Sequence, residues 1–159
     1  MAQERLSEIT IYTDGACLGN PGSGGYGTII TSKFGSTELS GGYKLTTNNR
    51  MEMMAVIKGL ESLQEKSMVT ICSDSKYVID AIDKGWARRW KINGWMRNKK
   101  EKAINPDLWE QLLELCSKHT ISFVWIKGHS GHIQNERCDQ LAVNAAKQSD
   151  LSEDIGYDR

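Results

Sequence analysis

Over residues 9–13 the chain alternates Ile9, Ile11 and Thr13 with Thr10 and Tyr12, then breaks at Asp14-Gly15. A period of two ending in a turn pair predicts a strand that opens into a loop at Asp14. Residues 26–32 and 37–44 read as two more strands on either side of Lys33-Phe34-Gly35-Ser36, which predicts an antiparallel meander. After the capping side chains of Thr46-Thr47-Asn48-Asn49, Met54, Ile57, Leu60 and Leu63 recur at helical spacing and predict an amphipathic helix over 49–65. Residues 68–73 form a β-rich run ending at Asp74, and Tyr77, Val78, Ile79, Ala81 and Ile82 return to helical spacing. Pro106-Asp107 starts a further helix, residues 121–127 read as a strand, and 135–148 as the last helix. The order βββαβα, a basic window, then αβα predicts an α/β fold with a mixed sheet, because strands joined through helices run parallel.

A chain of 159 residues is the size of one domain. We assign that domain to 1–149 and expect 150–159, acidic and poor in apolar anchors, to be a flexible tail. Hydrophobic residues at 39% and charged residues at 25%, with only 2 prolines, exclude a disordered or collagen-like chain. The formal net charge is zero, yet residues 84–102 hold eight cations against Glu101 alone, so charge is segregated and creates a local field. Trp86, Trp90 and Trp95 lie in the same window, a composition that binds phosphate backbones and stacks on bases or sugars. The expected arrangement has the tryptophans packed inward and Arg88, Arg89, Lys91, Lys99, Lys100 and Lys102 outward; a merely solvated charged face is the simpler alternative. Four cysteines without C-x-x-C spacing, no apolar leader and no run approaching roughly 20 apolar residues predict reduced thiols, a cytoplasmic location and no membrane partner. Nothing calls for an exposed apolar seam, so a monomer is expected.

Asp14 and Asp74 each end a predicted strand, where ligands bind in open α/β sheets, and Glu52 and Asp139 lie near helix starts. Four carboxylates brought together repel unless a cation offsets them, and hard oxygen ligands select Mg²⁺ or Mn²⁺. Taken singly, each has a local explanation as a turn former or a first-turn acid. Glu136 shares a helical face with Asp139, so periodicity leaves open which of the two faces a metal. His129, His132 and Cys138 lack the paired spacing of a zinc site; a loop histidine beside a metal can shuttle a proton or simply be solvated. Residues 22–27 match G-x-G-x-x-G, but the run continues as a strand instead of opening a helix, so the glycines read as a loop of close backbone approach.

The blocks Thr13-Asp14-Gly15-Ala16-Cys17-Leu18-Gly19-Asn20-Pro21-Gly22, Thr46-Thr47-Asn48-Asn49-Arg50-Met51-Glu52, Ser73-Asp74-Ser75, Lys127-Gly128-His129-Ser130-Gly131-His132 and Asn135-Glu136-Arg137-Cys138-Asp139 resemble, in order, the signatures of bacterial type 1 ribonuclease H. The resemblance implies the ribonuclease H-like fold: a five-stranded mixed sheet, its first three strands antiparallel, flanked by helices and carrying a basic protrusion over 84–102. It implies hydrolysis of the RNA strand of RNA/DNA hybrids, leaving 5′-phosphate and 3′-hydroxyl ends. Asp14, Glu52, Asp74 and Asp139 would hold two Mg²⁺ ions, with Mn²⁺ a possible substitute, and His129 would assist proton transfer or product release. Contacts in the hybrid's minor groove fall to Asn20, Asn48, Asn49 and Lys76, and a DNA phosphate contact to Thr47 with Asn105. Tyr77 and Trp86 would line the DNA-strand channel, with Arg88, Arg89 and Lys91 on the protrusion. Three departures stand out: Lys76 where bacterial members often have Gln, Ser23 where Pro is common, and Gly85 as a one-residue insertion. Two other readings remain open, a ribonuclease H-like module that binds without cutting and a nucleotide-binding protein using the Gly-rich loop.

Overall fold

Alternation and helical spacing are realised as ten elements in a computed structural model that describes residues 6–128 and 130–157. They run β1 (Ser7–Leu18), β2 (Gly22–Ser32), β3 (Gly35–Thr46), α1 (Asn48–Glu61), β4 (Ser67–Ser73), α2 (Lys76–Asp83), α3 (Trp86–Ile92), α4 (Pro106–Ser117), β5 (Thr120–Trp125) and α5 (Ile133–Ala146). The sheet order is β3-β2-β1-β4-β5. β2 is antiparallel to both β1 and β3, and β4 is parallel to both β1 and β5. This is the mixed five-stranded sheet anticipated from the order of elements.

Two strand limits differ from expectation by four residues or more. β1 does not stop at Thr13: β4 leaves it after Thr13↔Ser73, but β2 accompanies it as far as Leu18↔Ser23. Asp14 is therefore inside a strand, at the point where its parallel neighbour ends. The glycines at 22–25 belong to β2 instead of a loop, and their neighbour Gly27 shows why such residues are needed there. A Cβ at Gly27 would collide with the backbone oxygen of Cys138, because α5 lies directly on the sheet. On the opposite face the adjacent Thr28 donates its hydroxyl to the Ala55 carbonyl of α1 at 2.7 Å. The alternation of a strand thus puts α5 and α1 on opposite faces. The first helix is shorter than expected, ending at Glu61 with Ser62 as its cap.

Between sheet and α1 lie Ile11, Met51, Val56, Ile57, Leu60 and Ile71, joined by Trp109 and Leu112 of α4, which packs on α1. Trp86, Trp90 and Trp95 pack partly buried against this core, Trp90 edge-on to Trp109 at 6.0 Å. Arg88, Arg89, Lys91, Lys99, Lys100 and Lys102 are all exposed. Aromatic support inside and cations outside is the arrangement the sequence predicts for this window.

The expectation of a frayed tail over 150–159 is corrected for its described part, residues 150–157. Lys44 donates its backbone N–H to the Ser152 carbonyl at 2.8 Å, and Ser152 in turn donates to Gly42, so the segment runs parallel beside β3. The Asp154 side chain is only 3% exposed and pairs with Arg50 at 2.7 Å. A buried guanidinium needs carboxylates, and the acidic end of the chain supplies one. All four cysteines are free thiols. Among the described residues no helix is long and apolar enough to cross a membrane.

Candidate active site

The parallel pairing of β1 with β4 ends at Thr13↔Ser73, so Asp14 and Asp74 follow side by side at one end of the two strands. Asp74 is held at a tight turn: Ser75 caps α2 by accepting the Val78 N–H at 3.2 Å, and its own N–H donates to the Ser73 hydroxyl at 3.0 Å. Glu52 arrives from α1. Its approach depends on Gly15, where a Cβ would collide with the backbone nitrogen of Glu52 and come within 2.5 Å of the Met51 carbonyl carbon.

One oxygen from each of Asp14, Glu52 and Asp74 lies within 4.8 Å of the others. Asp14 and Glu52 are buried, and Asp74 is half-buried. Burial, together with the charges of Asp74 and Asp139, pushes the Asp14 carboxyl up to about 7, even though the Gly15 N–H donates to its Oδ1 at 2.9 Å. Burial also lifts Glu52 well above the usual carboxylate range, reinforced by the charges of Asp14 and Asp74. The Glu52 Oε2 atom is buried with no hydrogen-bond partner. A buried carboxyl oxygen left unpartnered in a cluster of acidic groups is costly unless a cation fills the gap. The set is all hard oxygen, which fits a divalent ion such as Mg²⁺ and not a soft metal.

Asp139, on α5, lies outside this three-carboxylate group, yet its charge reaches Asp14. Glu136 on the same helix is exposed while Asp139 is half-buried. His129 lies outside the described residues. His132 Nδ1 accepts the Asn135 N–H as the α5 cap, and the Cys138 thiol donates to the Tyr12 carbonyl, so both are occupied structurally.

The residues expected to meet a hybrid lie at or beside the starts of α1, α2 and α4 and along α3. Asn20, Thr47, Asn48 and Asn49 gather at the N-terminus of α1, where Asn20 Oδ1 accepts the Asn48 N–H at 3.2 Å and Thr47 caps the helix. Asn105 begins α4 in a left-handed conformation and accepts from Arg50 Nη1 at 3.1 Å. Tyr77 packs edge-on to Trp109 at 5.5 Å, and the Lys84 ammonium lies 5.4 Å from the Trp86 ring. The Lys76 ammonium lies 4.5 Å from the Trp125 ring, whose indole N–H donates to the Asp74 carbonyl at 3.2 Å.

Trp125 and Arg50 escaped the reading of candidate roles, although each carries a signal. Trp125 continues the alternation of Ile121 and Phe123, and Arg50 lies on the helical stripe of Met54 and Ile57. Gly15→Ala is expected to push α1 off β1 and withdraw Glu52. Hybrid cleavage should then need at least about tenfold more Mg²⁺ for half-maximal rate if Glu52 is one of the metal's ligands; a metal titration of the rate measures this.

The ribonuclease H family model matches residues 6–147. The chain is 65% identical over 154 residues to the ribonuclease H of Trichodesmium erythraeum, covering 97% of this chain and 98% of that protein. It is 60% identical to the ribonuclease H of Syntrophus aciditrophicus, covering 98% and 90%. Among solved structures it is similar to LC9-RNase H1, a type 1 RNase H with the type 2 active-site motif, with a TM-score of 0.79 and 30% identity over 91% of this chain and 74% of that one. It is also similar to LC11-RNase H1 in complex with an RNA/DNA hybrid, with a TM-score of 0.67 and 26% identity over 87% and 96%. With nearly the whole chain matched at these identities, and three carboxylates from β1, α1 and the end of β4 gathered in one place, this chain belongs to the ribonuclease H family.

Proposed function

We propose that this enzyme hydrolyses the RNA strand of RNA/DNA hybrids with Mg²⁺ at the carboxylate cluster, acting as a cytoplasmic monomer. The observation that carries the reading is the buried, unpartnered Glu52 oxygen among the carboxylates of Asp14 and Asp74. Those three residues, with Asp139 at the flank, would hold the metal. Two divalent ions held there would supply activation of the attacking water and stabilisation of the leaving 3′ oxygen.

The chain's own groups do the rest. Gly15 keeps Glu52 against β1, and burial holds the Asp14 and Glu52 carboxyls away from bulk water. The amides of Asn20, Asn48 and Asn49 can both donate and accept, as recognition of 2′-hydroxyls requires. Thr47 and Asn105 take a DNA-strand phosphate, with Tyr77 and Trp86 along the channel and Arg88, Arg89 and Lys91 tracking the backbone. Lys76 replaces an amide with a charge beside Asp74, favouring a phosphate contact. By family resemblance, His129 assists proton transfer or product release.

The test is cleavage of an end-labelled hybrid beside matched RNA/RNA and DNA/DNA duplexes, with Mg²⁺ or EDTA. Hybrid-only, metal-dependent cutting is expected; binding without cutting under either Mg²⁺ or Mn²⁺ would replace the enzyme reading with the binding-module one. Replacing Arg88, Arg89 and Lys91 together by Gln is expected to weaken hybrid binding and flatten its dependence on log salt by up to about 0.9 per lost phosphate contact. A binding series from low to high salt reads this slope, and an unchanged slope would make the cations a solvated face.

A further inference from the structure

At the N-terminus of α1 one buried side chain ties together three distant parts of the chain. Arg50 is 1% exposed. Its Nε donates to Asp154 Oδ2 at 2.7 Å and Nη2 to Asp154 Oδ1 at 2.9 Å. Nη1 donates to Asp107 Oδ1 at 2.9 Å and Nη2 to Asp107 Oδ2 at 2.7 Å. The remaining Nη1 bond goes to Asn105 Oδ1 at 3.1 Å. A guanidinium has five N–H donors, and all five are used. Asp154 also accepts the Thr46 hydroxyl at 2.7 Å, immediately before the α1 cap.

These bonds have a common effect on the two residues assigned above to a DNA phosphate. Asn105 is left-handed, at φ 62°, a conformation that a non-glycine residue keeps only when its surroundings hold it there. Because its Oδ1 is taken by Arg50, its amide N–H₂ is the end turned away from the guanidinium. The Thr47 hydroxyl oxygen accepts the Arg50 backbone N–H at 3.3 Å, which leaves its O–H to donate elsewhere. Both residues therefore have acceptors engaged internally and donors left over. A phosphodiester offers acceptors only, so this is the complementary polarity.

We propose that Asp154, acting through Arg50, is a positioning residue that holds Thr47 and Asn105 with their donors set for a DNA-strand phosphate. This rests on the hybrid reading of those two residues given above. The short C-terminal segment is thereby part of the substrate-binding apparatus, although it contributes no group to the carboxylate cluster. Its backbone pairing with β3 at Ser152 sets the depth at which Asp154 enters.

The test uses the full chain with Asp154→Ala, Asp154→Asn and the milder Thr46→Val, which removes one bond to Asp154 and no charge. Steady-state cleavage is measured at a temperature where circular dichroism shows every variant folded. The expected result for Asp154→Ala is a rise in KM of about fivefold, the scale of one hydrogen bond, with kcat close to wild type. Asp154→Asn, which keeps one acceptor oxygen, and Thr46→Val should fall between. A second readout uses hybrids in which single DNA linkages are replaced by neutral methylphosphonates. Wild type should lose affinity at one linkage, and Asp154→Ala should lose that selective sensitivity. If Asp154→Ala melts lower but keeps the wild-type KM and the same linkage sensitivity, the residue is structural only and the inference is overturned while the hybrid reading stands. If wild type itself is indifferent to every DNA linkage, the phosphate assignment of Thr47 and Asn105 falls, and this inference with it.

Discussion

Asp14→Asn is expected to abolish cleavage and, in the metal-free protein, to raise the melting temperature. The first effect follows from the loss of a carboxylate proposed to hold the metal; a fall of at least about a thousandfold in rate corresponds to about 4 kcal/mol of transition-state stabilisation. The second follows from linkage. The Asp14 carboxyl stands at about 7 in the fold, above its ordinary value of 3.8, chiefly because it is buried and also because Asp74 and Asp139 lie near. A group raised in this way favours the folded state fully below the ordinary carboxylate value, and that contribution is lost as pH rises through about 7. At pH 8 the metal-free wild type therefore carries a penalty that asparagine removes, on the order of 2–4 kcal/mol. Mg²⁺ should stabilise wild type and leave Asp14→Asn little changed, since a ligand stabilises only the state that binds it. Thermal denaturation at pH 5 and pH 8, with and without Mg²⁺, measures all of this. A variant less stable than metal-free wild type at pH 8 would show that the carboxylates are not in mutual conflict.

Arg50→Met is expected to be the most destabilising single change outside the apolar core. Removing the cation leaves Asp154 buried and unpaired, and breaking a buried pair from one side costs about 3–5 kcal/mol. Asp107, with its side chain 34% exposed, regains water and contributes less. For a chain of this length the loss should lower the melting temperature by about 10 °C. Arg50→Lys should not restore it, because a single ammonium cannot satisfy three acceptor residues held in a fork. Pairing Arg50→Met with Asp154→Leu should recover part of the loss, since the dominant cost is the stranded carboxylate and not the missing attraction. A double variant no more stable than Arg50→Met alone would place the cost in packing.

Much of this protein was legible along the chain because the signals are local. A period of two in β1 and helical spacing in α1 and α4 need only neighbouring residues, and the mixed sheet follows from their order. The tryptophans and cations of the basic window sort to opposite sides for the same reason, apolar surface inward and charge outward. The candidate carboxylates were visible one at a time, and the family resemblance grouped them. What bare spacing lacked was the means to bring them together. The side-by-side placement of Asp14 and Asp74 depends on the parallel register of β1 and β4, and the approach of Glu52 depends on α1 touching β1 at Gly15. The acidic tail is the sharpest case. By composition residues 150–157 were a solvated end, because no local pattern reveals that Asp154 has a cation more than one hundred residues away in sequence. The chain alone therefore determined which elements form and which side chains are available for chemistry. Tertiary structure decided which carboxylates meet, which other carboxylates pair with a buried arginine, and where the tail lies. Those outcomes arise from packing and desolvation between distant segments, to which a sequence period is blind.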